Sequence, residues 1–215
     1  MIAQISRRWW LDELVRYLMG PGGHGNAPHV NQRGIATWDG VPELHQPVSD
    51  GSACGFEVRD LVDDLTDPAL AGQVSLTPPA EVDGARRRRD PVWHCWVRNA
   101  PGDPLMSDAE WTEVVEELMD RTGIRGRDDP GGCHWVAIGR AGDQSTSPRC
   151  WSARTTVAGC TRATTTTEDY YRARDVCRDA ERRLGLTSPP AVGEGAGRSR
   201  SRAAVAAGRT ANGWS

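Results

Sequence analysis

Two short apolar runs constrain this chain more than any other feature: residues 92–98 (VWHCWVR) and residues 133–138 (CHWVAI). Both are short and alternate in character, and period 2 marks a strand with one buried face. Such strands need a covering layer, and three stretches with helical spacing supply it. Residues 10–19 set Leu11, Leu14, Val15 and Leu18 on one stripe, with Asp12 and Glu13 in the first turn and a stop at Gly20-Pro21-Gly22-Gly23. Residues 107–122 open with the capping box Ser107-Asp108-Ala109-Glu110, turn Trp111, Val114, Val115, Leu118 and Met119 inward, and end at Gly123. Residues 169–185 start at Asp169 and place Ala173, Val176, Cys177, Ala180 and Leu184 inward. These patterns predict an α+β domain, an antiparallel sheet with helices 10–19, 107–122 and 169–185 on its faces.

The intervening segments carry weaker signals. Residues 24–52 read as loop, residues 54–61 (CGFEVRDL) as a strand leading into a short helix, and a Pro-rich linker ends in the run Arg86 to Arg89. After residue 144 the character changes abruptly. Residues 145–167 contain no Leu or Ile and carry eight Thr, and no period of 2 or 3.6 survives. The domain therefore spans 1–186 with an aberrant segment at 145–167. The low-complexity tail 187–215 is expected to be disordered.

Composition narrows the function classes. The net charge is −3, so this is no polycation that coats nucleic acid, and any DNA contact must come from a local basic stripe. All 26 Lys/Arg positions are Arg, and with abundant Ala, Gly and Pro this points to a GC-rich gene. The six cysteines form no CxxC pair or zinc-ribbon spacing, so scattered free thiols are expected. The N-terminus lacks a signal-peptide apolar core, and no run approaches the roughly 18 apolar residues of a membrane span. These features predict a cytoplasmic protein with no membrane partner.

Six segments, in order, carry a resemblance: RYLMGPG (16–22), ATWDG (36–40), PVWHCWVRN (91–99), MSDAEWTEVVEELMDRTGI (106–124), CHWVAI (133–138) and YYRARDVCRDAERRLGL (170–186). Over roughly its first 186 residues the chain resembles the N-terminal domain of actinobacterial relaxase/mobilisation nucleases of the HUH endonuclease type. The resemblance implies a palm-like sheet and nicking of one DNA strand at a plasmid origin of transfer. It also implies a tyrosine joined covalently to the 5′ phosphate and a divalent cation, Mg²⁺ or Mn²⁺, held by histidines. Expected partners are single-stranded origin DNA and accessory mobilisation proteins. Tyrosine is a weak nucleophile at neutral pH, with a pKa near 10, so a cation must stabilise the developing charge.

On this resemblance Tyr17 is the candidate nucleophile, just before the glycine-rich turn; the competing reading is a tyrosine flanking an apolar stripe. Glu57 is placed to orient a histidine or the metal shell, or is simply an exposed strand carboxylate. His94 is a satisfied core histidine or a supporting active-site group. Arg16 and the run Arg86, Arg87, Arg88 and Arg89 are candidate DNA contacts, the run being otherwise a solvated patch. His24, His29 and His134 have no metal-ligand spacing with another histidine.

The family's histidines should follow CHWVAI, as one His and then a His-x-His pair on an apolar strand, where period 2 points both ligands the same way. At the corresponding positions stand Arg140, Gln144 and Thr146, and no histidine follows His134. A one-base deletion accounts for this. With codons chosen for Asp143 to Thr155, ACA for Thr146 among them, one C inserted after the second base of the Gln144 codon changes the reading to DHVHIAAVLVRED. That string restores both the pair and the strand, and the frame is recovered between about Thr161 and Asp169. Arg repels a cation, and Gln and Thr are poor ligands for a catalytic metal. The expected outcome is a degenerate metal site, little nicking, and a disrupted central strand with a loosened core. The alternatives are a degenerate DNA- or partner-binding module and a non-functional pseudogene product. No Ser-His-Asp, P-loop or HExxH pattern supports a generic hydrolase.

Overall fold

A computed structural model describes residues 1–20, 30–49, 51, 56–76, 91–100, 102–124, 133–141, 154–160 and 166–188, of which 30, 140, 141, 154–160, 166 and 167 by backbone only. In chain order these form β1 (Ile2–Arg8), α1 (Leu11–Met19), β2 (Val30–Thr37), a 3₁₀ turn (Pro42–His45), β3 (Val48–Ser49), β4 (Phe56–Glu57), α2 (Arg59–Ala71), β5 (Val92–Arg98), α3 (Asp108–Thr122), β6 (Trp135–Ala141), β7 (Arg154–Cys160) and α4 (Thr166–Leu184). The class is α+β, as the patterns predict. One antiparallel sheet runs β1-β5-β7-β6-β2, and β3 and β4 make a separate two-stranded ribbon.

Alternation along β5 and β6 sorts the core into two layers. Trp93, Cys95, Val97, Trp135 and Ala137 pack with Trp111, Val114, Val115, Leu118 and Met119 of α3 and Ala173, Val176, Cys177 and Ala180 of α4. Their sequence neighbours Val92, Val136 and Ile138 pack on the opposite side with Leu11, Leu14, Val15 and Leu18 of α1 and Leu61, Leu65 and Ala69 of α2. The sheet is thus sandwiched between two helix pairs, and the expected helical stripes are buried except for Leu184, which is partly buried. The capping box of α3 is formed in both directions, and Gly123 ends the helix in a left-handed conformation. At the end of α1 a Cβ on Gly20 would stand 2.6 Å from the Arg16 carbonyl oxygen, so the sharp exit needs glycine.

Four expectations are corrected. Residues 145–167 do carry a strand: β7 takes the central slot, pairing Val92↔Cys160 through Arg98↔Arg154 on one side and Trp135↔Gly159 through Arg140↔Arg154 on the other. Thr155, Thr156 and Val157 are β-branched and suit a strand, and both flanking strands present backbone groups that need partners. The loop reading of 24–52 misses edge strand β2, whose register shifts twice and so hides its period. The short helix after β4 is α2, 13 residues long and continuing through Pro68. Finally, α4 begins at Thr166, so Asp169 lies inside its first turn, buried beside Arg7 at 3.7 Å, and is not the cap. The linker ending in Arg86 to Arg89 and the tail beyond 188 lie outside the described residues.

Cys95, Cys133 and Cys177 are free thiols. Among the described residues no helix is long and apolar enough to cross a membrane.

Close packing between β6 and β2 gives a direct test of the core. A Cβ on Gly139 would meet Ile35 Cγ2 at 2.9 Å. Gly139→Ala should destabilise the fold by about 1–3 kcal/mol through overpacking. Ile35→Val in the same chain should recover part of that loss, so a double-mutant cycle by denaturant melting should show coupling between the two sites.

Candidate functional site

Two places gather polar chemistry: the sheet face beneath α1 and α2, and the turn region beyond the end of β2. On the sheet face, His94 follows Val92 by two residues and shares its side. Its register partner across the β1–β5 ladder is Ser6, and Ser6 Oγ lies 2.9 Å from His94 Nδ1. At 8% exposure His94 is buried, and its histidine ring is held by a hydroxyl from the neighbouring strand. Two residues further on, Trp96 carries the Arg98 guanidinium 5.5 Å above its ring, a cation–π contact on a half-buried surface.

The remaining expected residues scatter around this face. Tyr17 lies on α1 and is 45% exposed, while Leu14 and Leu18 of the same helix are buried. Arg16 is exposed and stands 4.0 Å from Asp12 one turn earlier. Arg140 is on β6, with β7 between it and His94. Glu57 is exposed and pairs with Val48 in the separate β3–β4 ribbon, so it is not a member of the sheet that bears His94. Gln144, Thr146, His24, His29 and Arg86 to Arg89 lie outside the described residues.

The second place was not legible from spacing. His45, at the end of the 3₁₀ turn, sits between two carboxylates: Nε2 is 2.8 Å from Asp39 Oδ2 and Nδ1 is 2.8 Å from Asp64 Oδ2. Trp38 packs against the His45 ring at 4.3 Å and stacks on His134 at 4.2 Å. His134 Nδ1 in turn reaches the Asp64 carbonyl oxygen at 2.6 Å. Both ring nitrogens of His45 are thus engaged by carboxylates of the protein itself.

The donor chemistry does not fit a divalent metal at the positions that the resemblance implies. The Arg140 guanidinium is a cation with five donors and no acceptor. Among the described residues no three His, Cys, Asp or Glu side chains gather as a metal site. No family model, curated protein or solved structure matches this chain.

Ser6 is the support for His94 that this geometry identifies. Ser6→Ala should cost about 1–3 kcal/mol, because it removes a hydrogen-bond partner from a buried ring, and the His94 imidazole NMR signals should move. An unchanged melt with unchanged His94 resonances would show that the hydroxyl does not hold the ring.

Proposed function

We propose that this chain is a relaxase-like palm whose lineage nicks and transfers a DNA strand at a plasmid origin through a tyrosyl intermediate, and that the polypeptide as written does not nick. The observation that carries the reading is the placement of the Tyr17 helix. α1 packs on the same side of an antiparallel sheet as Val92, Val136 and Ile138, and it reaches central strand β7. The resemblance puts the tyrosine on the N-terminal helix just before a glycine-rich turn, and Tyr17 stands there, exposed on a helix that covers the sheet. The Arg98–Trp96 pair adds a cation and an aromatic plane, the two features that grip a single strand through phosphate and base.

The chemistry stops at the metal. A phenol with a pKa near 10 attacks phosphate slowly without a cation to hold the developing charge. Arg140, Gln144 and Thr146 supply no adequate ligand set, so the divalent cation expected for the family is not held here. What remains is binding: single-stranded DNA engaged through arginine and aromatic side chains, weakening steeply as salt rises. The base lost within codon 144 explains the missing ligands and the Thr-rich composition of 145–167 together.

The test uses the purified chain with Mg²⁺ or Mn²⁺ and labelled single-stranded DNA tiled over the region flanking its gene. The expected result is salt-dependent retention with no covalent adduct. Restoring one base in codon 144 should produce the adduct, and Tyr17→Phe in that restored chain should abolish it. Robust covalent capture by the chain as written would overturn the loss of chemistry. Absence of the adduct from a folded, restored chain would overturn the relaxase reading itself.

A further inference from the structure

The His45 cluster belongs to no part of the proposed nicking chemistry, yet it ties three elements together. The 3₁₀ turn Pro42–His45 lies along β2, which is an edge strand of the large sheet. His45 bridges Asp39, at the exit of β2, and Asp64, in the middle of α2, at 2.8 Å on each side. An ionised carboxylate can only accept, so both ring nitrogens donate at once only when the imidazole is charged. A neutral ring would set one nitrogen lone pair against a carboxylate oxygen. Asp39 is braced further by the Thr37 hydroxyl at 2.6 Å and the Val41 amide at 3.1 Å.

The next residue completes the closure. Gln46 Oε1 accepts from the Gly34 amide at 3.0 Å, while its Nε2 donates to the Gly34 carbonyl at 2.7 Å and to the Pro42 carbonyl at 2.9 Å. A side-chain amide thus occupies the backbone of an edge strand where another strand would otherwise pair, one way of blunting a sheet edge.

We propose that the Asp39–His45–Asp64 bridge is a proton-operated latch. With His45 charged, the 3₁₀ turn is held closed against β2 and α2. Loss of that proton releases the turn and uncovers the β2 edge at Gly34.

The groups that face His45 are Asp39 from the exit of β2, Asp64 from α2 and, across the Trp38 ring, His134 from the approach to β6. Burial pulls the His45 pKa down, but the hydrogen bonds and charges of Asp39 and Asp64 outweigh it and leave the value above 6.5. A pKa raised by folding stabilises the closed state fully below 6.5, and this contribution is lost as pH rises through the folded value. Burial likewise opposes the Asp39 charge, yet hydrogen bonds from Thr37, His45 and Val41 bring its pKa to about 2. Its contribution is complete above 3.8 and is lost as pH falls towards 2. The latch is therefore closed in the mildly acidic range and opens on the alkaline side.

Amide hydrogen exchange on the full chain between pH 6 and pH 9, corrected for intrinsic rates, tests this. Protection at Gly34, Gly40 and Leu44, whose amides bond to Gln46, Thr37 and Val41, should fall by up to about tenfold per pH unit between 6.5 and the raised His45 pKa and level off above it, while Val115 and Leu118 in α3 stay unchanged. Nitrogen NMR of the wild-type ring should show both His45 nitrogens protonated at pH 6. His45→Gln should remove the pH dependence, and Asp64→Asn should shift it to lower pH. A flat wild-type profile, a neutral His45 ring at pH 6, or the same profile in a folded His45→Gln chain would each overturn the latch. The wild-type measurements decide the matter even if a variant does not fold.

Discussion

The large sheet depends on its middle strand. β5 and β6 do not pair with each other; each pairs with β7, and through it β1 and β2 join one sheet. Without β7 the sheet would fall into two ribbons, β1-β5 and β6-β2, and an isolated two-stranded ribbon is marginal in water. The helix layers depend on the same bonds. Trp93 and Cys95 come from one ribbon and Trp135 and Ala137 from the other, yet all four share a layer with α3 and α4. Holding that layer together requires the ladder that β7 completes. The ladder is made by backbone groups, so it tolerates the Thr-rich composition that hides the strand from a reading of side chains.

This difference between backbone and side-chain information explains what could be read in advance. Helices α1, α3 and α4 were legible because their apolar residues recur at 3.6-residue spacing, and the structure buries those side chains, Leu184 only partly. β5 and β6 were legible by alternation. β2 was not, because its pairing with β6 shifts register twice and Asn31 takes a positive φ, and both break period 2. β7 was not, because the segment around it offers Thr, Ser and Arg where a central strand ordinarily shows Val, Ile or Leu. Pro68 hid the second half of α2 in a similar way, since proline is a helix breaker in most settings.

The candidate sites divide along the same line. His94 could be named from local context, as a polar residue in an apolar run, whereas Tyr17 was named on the resemblance, its helix spacing alone marking only a residue that flanks an apolar stripe. Ser6 could not, because only the β1–β5 register brings it opposite His94. Asp39, His45 and Asp64 come from a turn, a 3₁₀ segment and a helix, with separations of 6 and 19 residues that match no ligand motif. Their meeting is a product of tertiary packing, in which Trp38 fills the space between His45 and His134.

Fold and chemistry thus make unequal demands on a sequence. A sheet slot asks for an extended segment without proline and with enough β-branched residues, and many sequences meet that condition. A metal centre asks for particular lone pairs at particular positions, and Arg140 on β6 offers a fixed positive charge instead. A slip of reading frame over one segment should therefore remove the chemistry before it removes the architecture. That ordering fits the proposed history of this chain. Five strands form one sheet, and the helix that carries Tyr17 packs on the side shared by Val92, Val136 and Ile138. The His45 bridge is built from residues 39, 45 and 64, all upstream of residues 145–167, and it needs nothing from β7 but a sheet to close against.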